Sequence, residues 1–290
     1  MLTLLAPAKI NATLEILARR DDGYHTLRSL MLPVALYDRI ELVPEEGGGF
    51  DVADPALREG NLVLRALEAA GAAGRFAVRL EKVIPVGGGL GGGSSDAAAV
   101  LRAAMDGRLG DVGERDWLAA ASALGSDVPF FLAGTGALVE GTGERVTAIG
   151  ALPEWWVVVA RPHAFVPTAD AYRRLDALRA AGAPAPSRPR STSASLAAVD
   201  AVQRGDFAAL AAALVNDFHE PILDAYPAVA RAAAALRAAG AEHVLLSGSG
   251  SCLFAPFEAE AQARGVAARA EPGAFEALFA VPLHHDPAWR

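Results

Sequence analysis

The chain has 290 residues, a formal net charge of −8 and a single cysteine, Cys252. That length accommodates two domains with a substantial core. The acidic balance excludes nucleic acid as a bulk electrostatic partner, and one cysteine excludes an internal disulfide framework and suits a reducing cytoplasm. No apolar run reaches the length of a membrane span, and the first residues lack the basic and long apolar regions of an export signal, so no membrane partner and a cytoplasmic location are expected.

Residues 3–17 and 27–43 read as strands joined through a turn at 21–23. In the first, Lys9 and Asn11 alternate with apolar neighbours, so both project from one face. Two of the 26 basic residues are lysines, Lys9 and Lys82, and the rest are arginines. A lysine kept in such a chain marks a place where a compact ammonium is wanted. Taken alone, the segment also fits an ordinary strand with an exposed face. Residues 44–49 form a loop and 61–73 a helix. A strand over 76–84 follows, with Phe76, Val78 and Leu80 apolar and Arg79 and Glu81 charged. That period of two describes a strand with one wet face.

The strand runs into the most informative stretch of the chain: Pro85, Val86, Gly87, Gly88, Gly89, Leu90, Gly91, Gly92, Gly93, Ser94, Ser95 and Asp96. Glycines let backbone amides approach a ligand closely. The helix predicted over 97–104, capped by Ser94, Ser95 or Asp96, would aim unpaired N–H groups and a partial positive charge at the loop. Together they make an anion cradle, most naturally for a phosphate chain. Gly87, Gly89 and Gly92 do match a dinucleotide fingerprint. The half-wet preceding strand, the mid-chain position and the hydroxyl-rich end argue against that reading, and no lysine follows the last glycine as a Walker loop requires.

Beyond the loop, a helix over 116–124 ends at Gly125, and Ser126-Asp127-Val128-Pro129 introduces an apolar run over 130–132. Residues 135–140 and 144–149 suggest a hairpin, and 155–160 a buried strand opening a second domain, which divides the chain into 1–152 and 153–290. The Pro-, Ala- and Arg-rich 181–192 is expected to be a mobile loop. Helices are predicted over 195–202, 207–214, 228–239 and 258–268. A second small-residue cluster, Ser247, Gly248, Ser249 and Gly250, lies between apolar segments and reads as a tight turn packing close to phosphates or substrate.

These residues carry a family resemblance. Pro7-Ala8-Lys9-Ile10-Asn11, then 85–97, then 246–255 resemble, in order, the three motifs of the GHMP kinases. Arg20-Asp21-Asp22-Gly23-Tyr24-His25, Leu124-Gly125-Ser126-Asp127-Val128-Pro129-Phe130 and Asn216-Asp217-Phe218-His219-Glu220 are similar to the branch acting on CDP-methylerythritol. The resemblance implies an α+β, two-domain GHMP kinase fold, with an N-terminal domain like ribosomal protein S5 domain 2, a C-terminal ferredoxin-like domain, and the active site in the cleft between them. It implies ATP as co-substrate with Mg²⁺, small molecules as the only partners, and phosphorylation of the substrate 2-hydroxyl in the non-mevalonate route to isoprenoid precursors. A monomer or weak homodimer is expected. Other readings are a GHMP kinase for homoserine or a mevalonate derivative, and a nucleotide-binding protein without catalysis.

Phosphoryl transfer needs charge neutralisation, an aligned hydroxyl and a destination for its proton. Residues 85–95 would hold the ATP phosphates. Asp127 is the candidate general base, although a Gly-Ser-Asp alone also reads as a helix cap. Lys9 would position the hydroxyl and stabilise developing alkoxide charge. By analogy with related kinases, Ser95 would lie near the metal. Asn11, Tyr24, His25, Tyr172, Ser247, Gly248, Ser249 and Gly250 are assigned to substrate. Within that set the resemblance gives base reading to His25 and cytosine stacking to Tyr172, which also fits a helix core.

Overall fold

The computed structural model describes residues 1–21, 23–182 and 193–284. Three strands open the chain, β1 (Leu2–Asn11), β2 (Thr13–Arg19) and β3 (His25–Pro44). The single strand expected over 3–17 is therefore two, divided at Ala12, whose N–H bonds to Leu30 O. β3 is long enough to serve two sets of neighbours. Residues near its start pair with β2, and its second half pairs antiparallel with β1 across an irregularity between Pro7 and Ala8. Next come β4 (Gly49–Val52), α1 (Leu62–Ala69) and β5 (Phe76–Glu81). Asn61 caps α1 by accepting from Val63 N, and Val63, Ala66 and Leu67 form its buried stripe. In β5 the alternation holds: Val78 and Leu80 are buried, Arg79 and Glu81 exposed.

α2 (Gly92–Met105) starts five residues before the predicted helix. Gly91 takes the left-handed conformation (φ 71°) as its N-cap, so Ser94, Ser95 and Asp96 lie inside the first turns and do not cap it. Alanine at 97, 98, 99, 103 and 104 is buried, which lets α2 pack closely between α1 and β1. α3 (Trp117–Leu124), α4 (Val128–Ala133), β6 (Ala137–Gly141) and β7 (Arg145–Ala148) follow, with β6 on β3 and β7 on β6.

A second sheet is built around β8 (Trp156–Arg161), whose residues 157–160 are all buried. α5 (Thr168–Ala180), α6 (Ala194–Arg204), α7 (Phe207–Ala213), β9 (Val215–Asn216), α8 (His219–Ala225), α9 (Pro227–Ala238), β10 (Leu245–Leu246), β11 (Leu253–Phe257), α10 (Glu260–Arg269) and β12 (Ala277–Pro282) complete the described chain. The strand order is β10-β11-β8-β12. The α4, α5 and α8 helices and the β4, β9 and β12 strands have no counterpart in the sequence reading, in which 130–132 is only an apolar run. Most of the 181–192 segment lies outside the described residues, as does Asp22 of the predicted turn.

The two sheets share a core. Ala8, Ile10, Leu30 and Leu32 from the first pack with Trp155, Val157, Val159 and Phe254 from the second. β9 also pairs in parallel with β2, carrying chain from the second half onto the first sheet. Because β1 is sandwiched here, the polar side chains that interrupt its apolar pattern are held inside the protein.

Candidate active site

Lys9 and Asn11 share a face of β1, as period-two geometry requires, and both are buried. Lys9 Nζ donates to Asn11 Oδ1 at 2.6 Å and to Gly89 O at 2.9 Å, and stands 3.6 Å from Asp127 Oδ2. Burial of an ammonium is costly unless its donors are met. Here three oxygens surround it. Asn11, assigned to substrate from sequence, turns its other polar atom to Ser29 Oγ at 2.8 Å and so holds Lys9 in place.

Asp127 occupies the N-cap position of α4, yet its side chain makes no capping bond. The carboxylate that could have served the helix instead points at Lys9, with its side chain about a quarter exposed (28%). The general-base candidate and the ammonium thus meet at the glycine loop.

The loop is held by the second small-residue cluster. Ser247 Oγ donates to Gly89 O at 2.9 Å, the carbonyl Lys9 also uses. Cys252 N donates to Gly88 O at 3.1 Å. Gly89 has φ +79°, and a Cβ there would sit 2.1 Å from Ser247 O, so only glycine permits this approach. Ser247, expected at substrate, is fully buried as a tie between loops. Gly248 O accepts from Asn216 Nδ2, Gly250 N bonds to Ser247 O, and Ser249 Oγ faces Thr168 Oγ1 at 2.9 Å. Asn216 also donates to Leu246 O, and the His219 ring accepts from Leu246 N. Burial, then the Arg237 charge, pushes the His219 pKa down to about 4, which keeps it a neutral acceptor.

A cavity of about 380 Å³ runs along residues 85–94, bounded by Leu57, Asn61, Leu62, Lys82 and Asp96. Lys82, singled out as a lysine but given no role from sequence, is paired with Asp38 and lies 2.6 Å from Asp96 Oδ2. Asp38 Oδ1 accepts from Val83 N and Ile84 N, anchoring the entrance of the loop. Burial raises the Asp96 pKa to about 7, Lys82 opposing and Asp38 adding to the shift. Lys82 itself is desolvated, but the two carboxylates more than offset that and raise its pKa. Ser95 Oγ and Asp96 Oδ1 are buried without a hydrogen-bond partner among the described residues.

A larger cavity, about 1050 Å³, is lined by Ser126 and Pro129, which flank Asp127, and draws on both halves of the chain: Arg19, Tyr24 and His25 from one, Thr168, Tyr172, Arg173 and Asp176 from the other, with Thr142 and Glu144 beside Ser126. The His25 and Tyr172 rings stack, centroids 4.8 Å apart at 27°, and Phe218 meets Tyr172 edge-on. Tyr24 stands at the rim, 68% exposed. Burial, and then the charge of Asp127, raises the Tyr172 pKa. The aromatic pocket and the Lys9–Asp127 pair are therefore electrostatic neighbours.

Comparison with known proteins identifies the family. Residues 61–135 match the GHMP kinases N terminal domain and 198–275 the GHMP kinases C terminal domain. The chain is 43% identical over 258 residues to the 4-diphosphocytidyl-2-C-methyl-D-erythritol kinase of Symbiobacterium thermophilum, covering 84% of this chain and 86% of that one. It belongs to the 4-diphosphocytidyl-2-C-methyl-D-erythritol kinase family. The relative from Heliobacterium modesticaldum is 37% identical over 98% of this chain and 96% of its own. A crystal structure of 4-(cytidine 5'-diphospho)-2C-methyl-D-erythritol kinase superposes with a TM-score of 0.78 at 37% identity, over 98% of this chain and all of that one. A homoserine kinase from Cytophaga hutchinsonii has a TM-score of 0.67 at 19% identity, a likeness of fold alone. The α+β fold of the GHMP kinases expected from sequence is thus the fold observed. No helix among the described residues is long and apolar enough to cross a membrane.

Proposed function

We propose that this chain transfers the γ-phosphoryl group of ATP to the 2-hydroxyl of 4-diphosphocytidyl-2-C-methyl-D-erythritol, giving the 2-phosphate and ADP, a step in the non-mevalonate route to isoprenoid precursors. The observation that carries this reading is the buried Lys9, 3.6 Å from Asp127 and hydrogen-bonded to Gly89 of the loop that lines the smaller cavity, while Ser126 and Pro129 on either side of Asp127 line the larger. The smaller cavity takes ATP, with its phosphates along residues 85–95. The larger takes the cytidyl end of the acceptor beside His25, Tyr24 and Tyr172, so the acceptor hydroxyl reaches Asp127.

In that arrangement Asp127 accepts the hydroxyl proton as the new O–P bond forms. Lys9 holds the hydroxyl oxygen and stabilises the negative charge that grows on it. Of the two orphaned atoms in the first turns of α2, Ser95 Oγ and Asp96 Oδ1, we assign Ser95 Oγ to Mg²⁺. Among the described residues no group of three or more His, Cys, Asp or Glu side chains could hold a metal; Ser95 Oγ together with the ATP phosphates would hold it. Mg²⁺ would neutralise phosphate charge there. We place the reaction in the cytoplasm, carried out by a monomer or weak homodimer on small-molecule partners.

The test supplies ATP, Mg²⁺ and the cytidyl substrate and looks for a phosphomonoester on the tertiary alcohol, with homoserine and phosphomevalonate as alternative acceptors. Phosphate on the cytidyl substrate alone is the expected result. Transfer to either alternative acceptor in preference to it, or ATP binding with no transfer, overturns the proposal.

A further inference from the structure

His25 opens β3 and lines the larger cavity with its side chain only 6% exposed. Two contacts fix its ring. One is the stack on Tyr172; the other is a 2.8 Å hydrogen bond from Nε2 to Oδ1 of Asp176. Asp176 lies four residues after Tyr172 on α5, so both project from the same face of that helix and reach the same imidazole. The other Asp176 oxygen is 4.0 Å from Arg19 Nη1 on β2. One carboxylate from the second half of the chain thus engages two residues of the first.

An ionised carboxylate accepts hydrogen bonds and donates none, so the Nε2 it faces carries a proton. In the neutral ring the other nitrogen, Nδ1, is then an acceptor. Turning the imidazole over would put a ring carbon in the place of each nitrogen, and so sacrifice the bond to Asp176. The polarity that His25 shows to a ligand is therefore set by its neighbour.

We propose that Asp176 is a specificity-determining positioning residue, which fixes the His25 imidazole so that it accepts from cytosine and rejects uracil. At C4 cytosine carries an amine donor, where uracil carries a carbonyl acceptor. An acceptor of fixed polarity matches the first and opposes the second, and a site that leaves a polar group unmatched discriminates strongly. Without Asp176 the ring takes either tautomer, and both bases find a partner. The inference rests on the cytidyl-substrate reading above and adds to it the residue responsible for base choice.

The test compares the full-length protein with Asp176→Ala and Asp176→Asn. Steady-state rates are measured on the cytidyl substrate and its uridyl analogue, and equilibrium binding of CDP and UDP, which needs no turnover, is measured in parallel. The wild type should favour cytidine in both assays. Asp176→Ala should lose roughly tenfold of that preference, the worth of one neutral hydrogen bond. The loss should come through a higher KM for the cytidyl substrate, with kcat and the KM for ATP within about twofold of wild type. Asp176→Asn keeps an oxygen that accepts from Nε2 and should retain the preference. A folded alanine variant with unchanged base preference overturns the proposal. So does a wild type indifferent to the base, or an asparagine variant as indiscriminate as alanine. Should the wild type phosphorylate no cytidyl substrate, the functional reading fails, while the CDP-to-UDP binding ratios still decide the role of Asp176.

Discussion

Replacing Lys9 by methionine removes the ammonium while keeping the length and most of the volume of the side chain. Gly89 O retains its bond from Ser247 Oγ, so the glycine loop keeps its tie. What is lost is the positive charge 3.6 Å from Asp127 Oδ2. Between unit charges at that separation, an effective dielectric of about 20 gives roughly 4–5 kcal/mol. If about half a unit of negative charge accumulates on the acceptor oxygen beside Lys9, the stabilisation lost in the transition state is about 2 kcal/mol, a 30- to 100-fold fall in kcat. KM values should stay within about threefold, because a charge that grows only during transfer contributes little to ground-state binding. Stability should fall by roughly 1–3 kcal/mol, because the buried Asn11 Oδ1 loses its donor. ADP release with ATP and the cytidyl substrate gives the rates, and thermal unfolding the fold control. A folded Lys9→Met enzyme with kcat within threefold of wild type would refute the reasoning.

Gly89→Ala places a methyl against the Ser247 backbone at a positive φ, so the two loops must part. Calorimetry should show a loss of roughly 1–3 kcal/mol, and the KM for ATP should rise about tenfold or more; wild-type ATP kinetics would contradict the tie. Acid stability should carry the signature of His219, whose pKa falls from 6.5 to about 4 on folding. Between those values the unfolded chain binds a proton that the native one does not, so stability is lost as pH falls through the window, by about 1.4 kcal/mol per pH unit. His219→Asn, titrated with denaturant alongside wild type, should lack that share of the slope, and parallel curves would exclude it. Asp96, with a carboxyl pKa of about 7, adds a negative charge to the nucleotide cavity above neutrality. The KM for ATP of wild type relative to Asp96→Asn should therefore rise from near one at pH 6 to roughly three- to tenfold at pH 8; a ratio independent of pH would rule this out.

What the sequence made legible is local. A period of two placed Lys9 and Asn11 on one face, six glycines before a helix announced a loop of close backbone approach, and the apolar run at 155–160 marked a buried strand. The missing pieces are long-range or weakly patterned. α5 carries three arginines and starts after Pro167 without a side-chain cap, so little in it announces a helix. The roles of Ser247 and Asn216 depend on carbonyls far along the chain, and a small-residue turn looks the same whether it holds a ligand or another loop. Lys82 is paired with Asp38, forty-four residues away, a partnership no spacing reveals. The position of Gly91 rather than the serines as the cap of α2 follows from a left-handed backbone angle that glycine makes available but does not announce.

The account depends on Lys9 and Asp127 serving one acceptor hydroxyl. A double-mutant cycle on kcat with Lys9→Met, Asp127→Asn and the combined variant measures that directly. Asp127→Asn alone should lower kcat by roughly a hundred- to ten-thousand-fold, and the double variant should be little worse than the weaker single one, because each has already disabled the same step. Losses that simply multiply would contradict the claim and place the two side chains in separate roles.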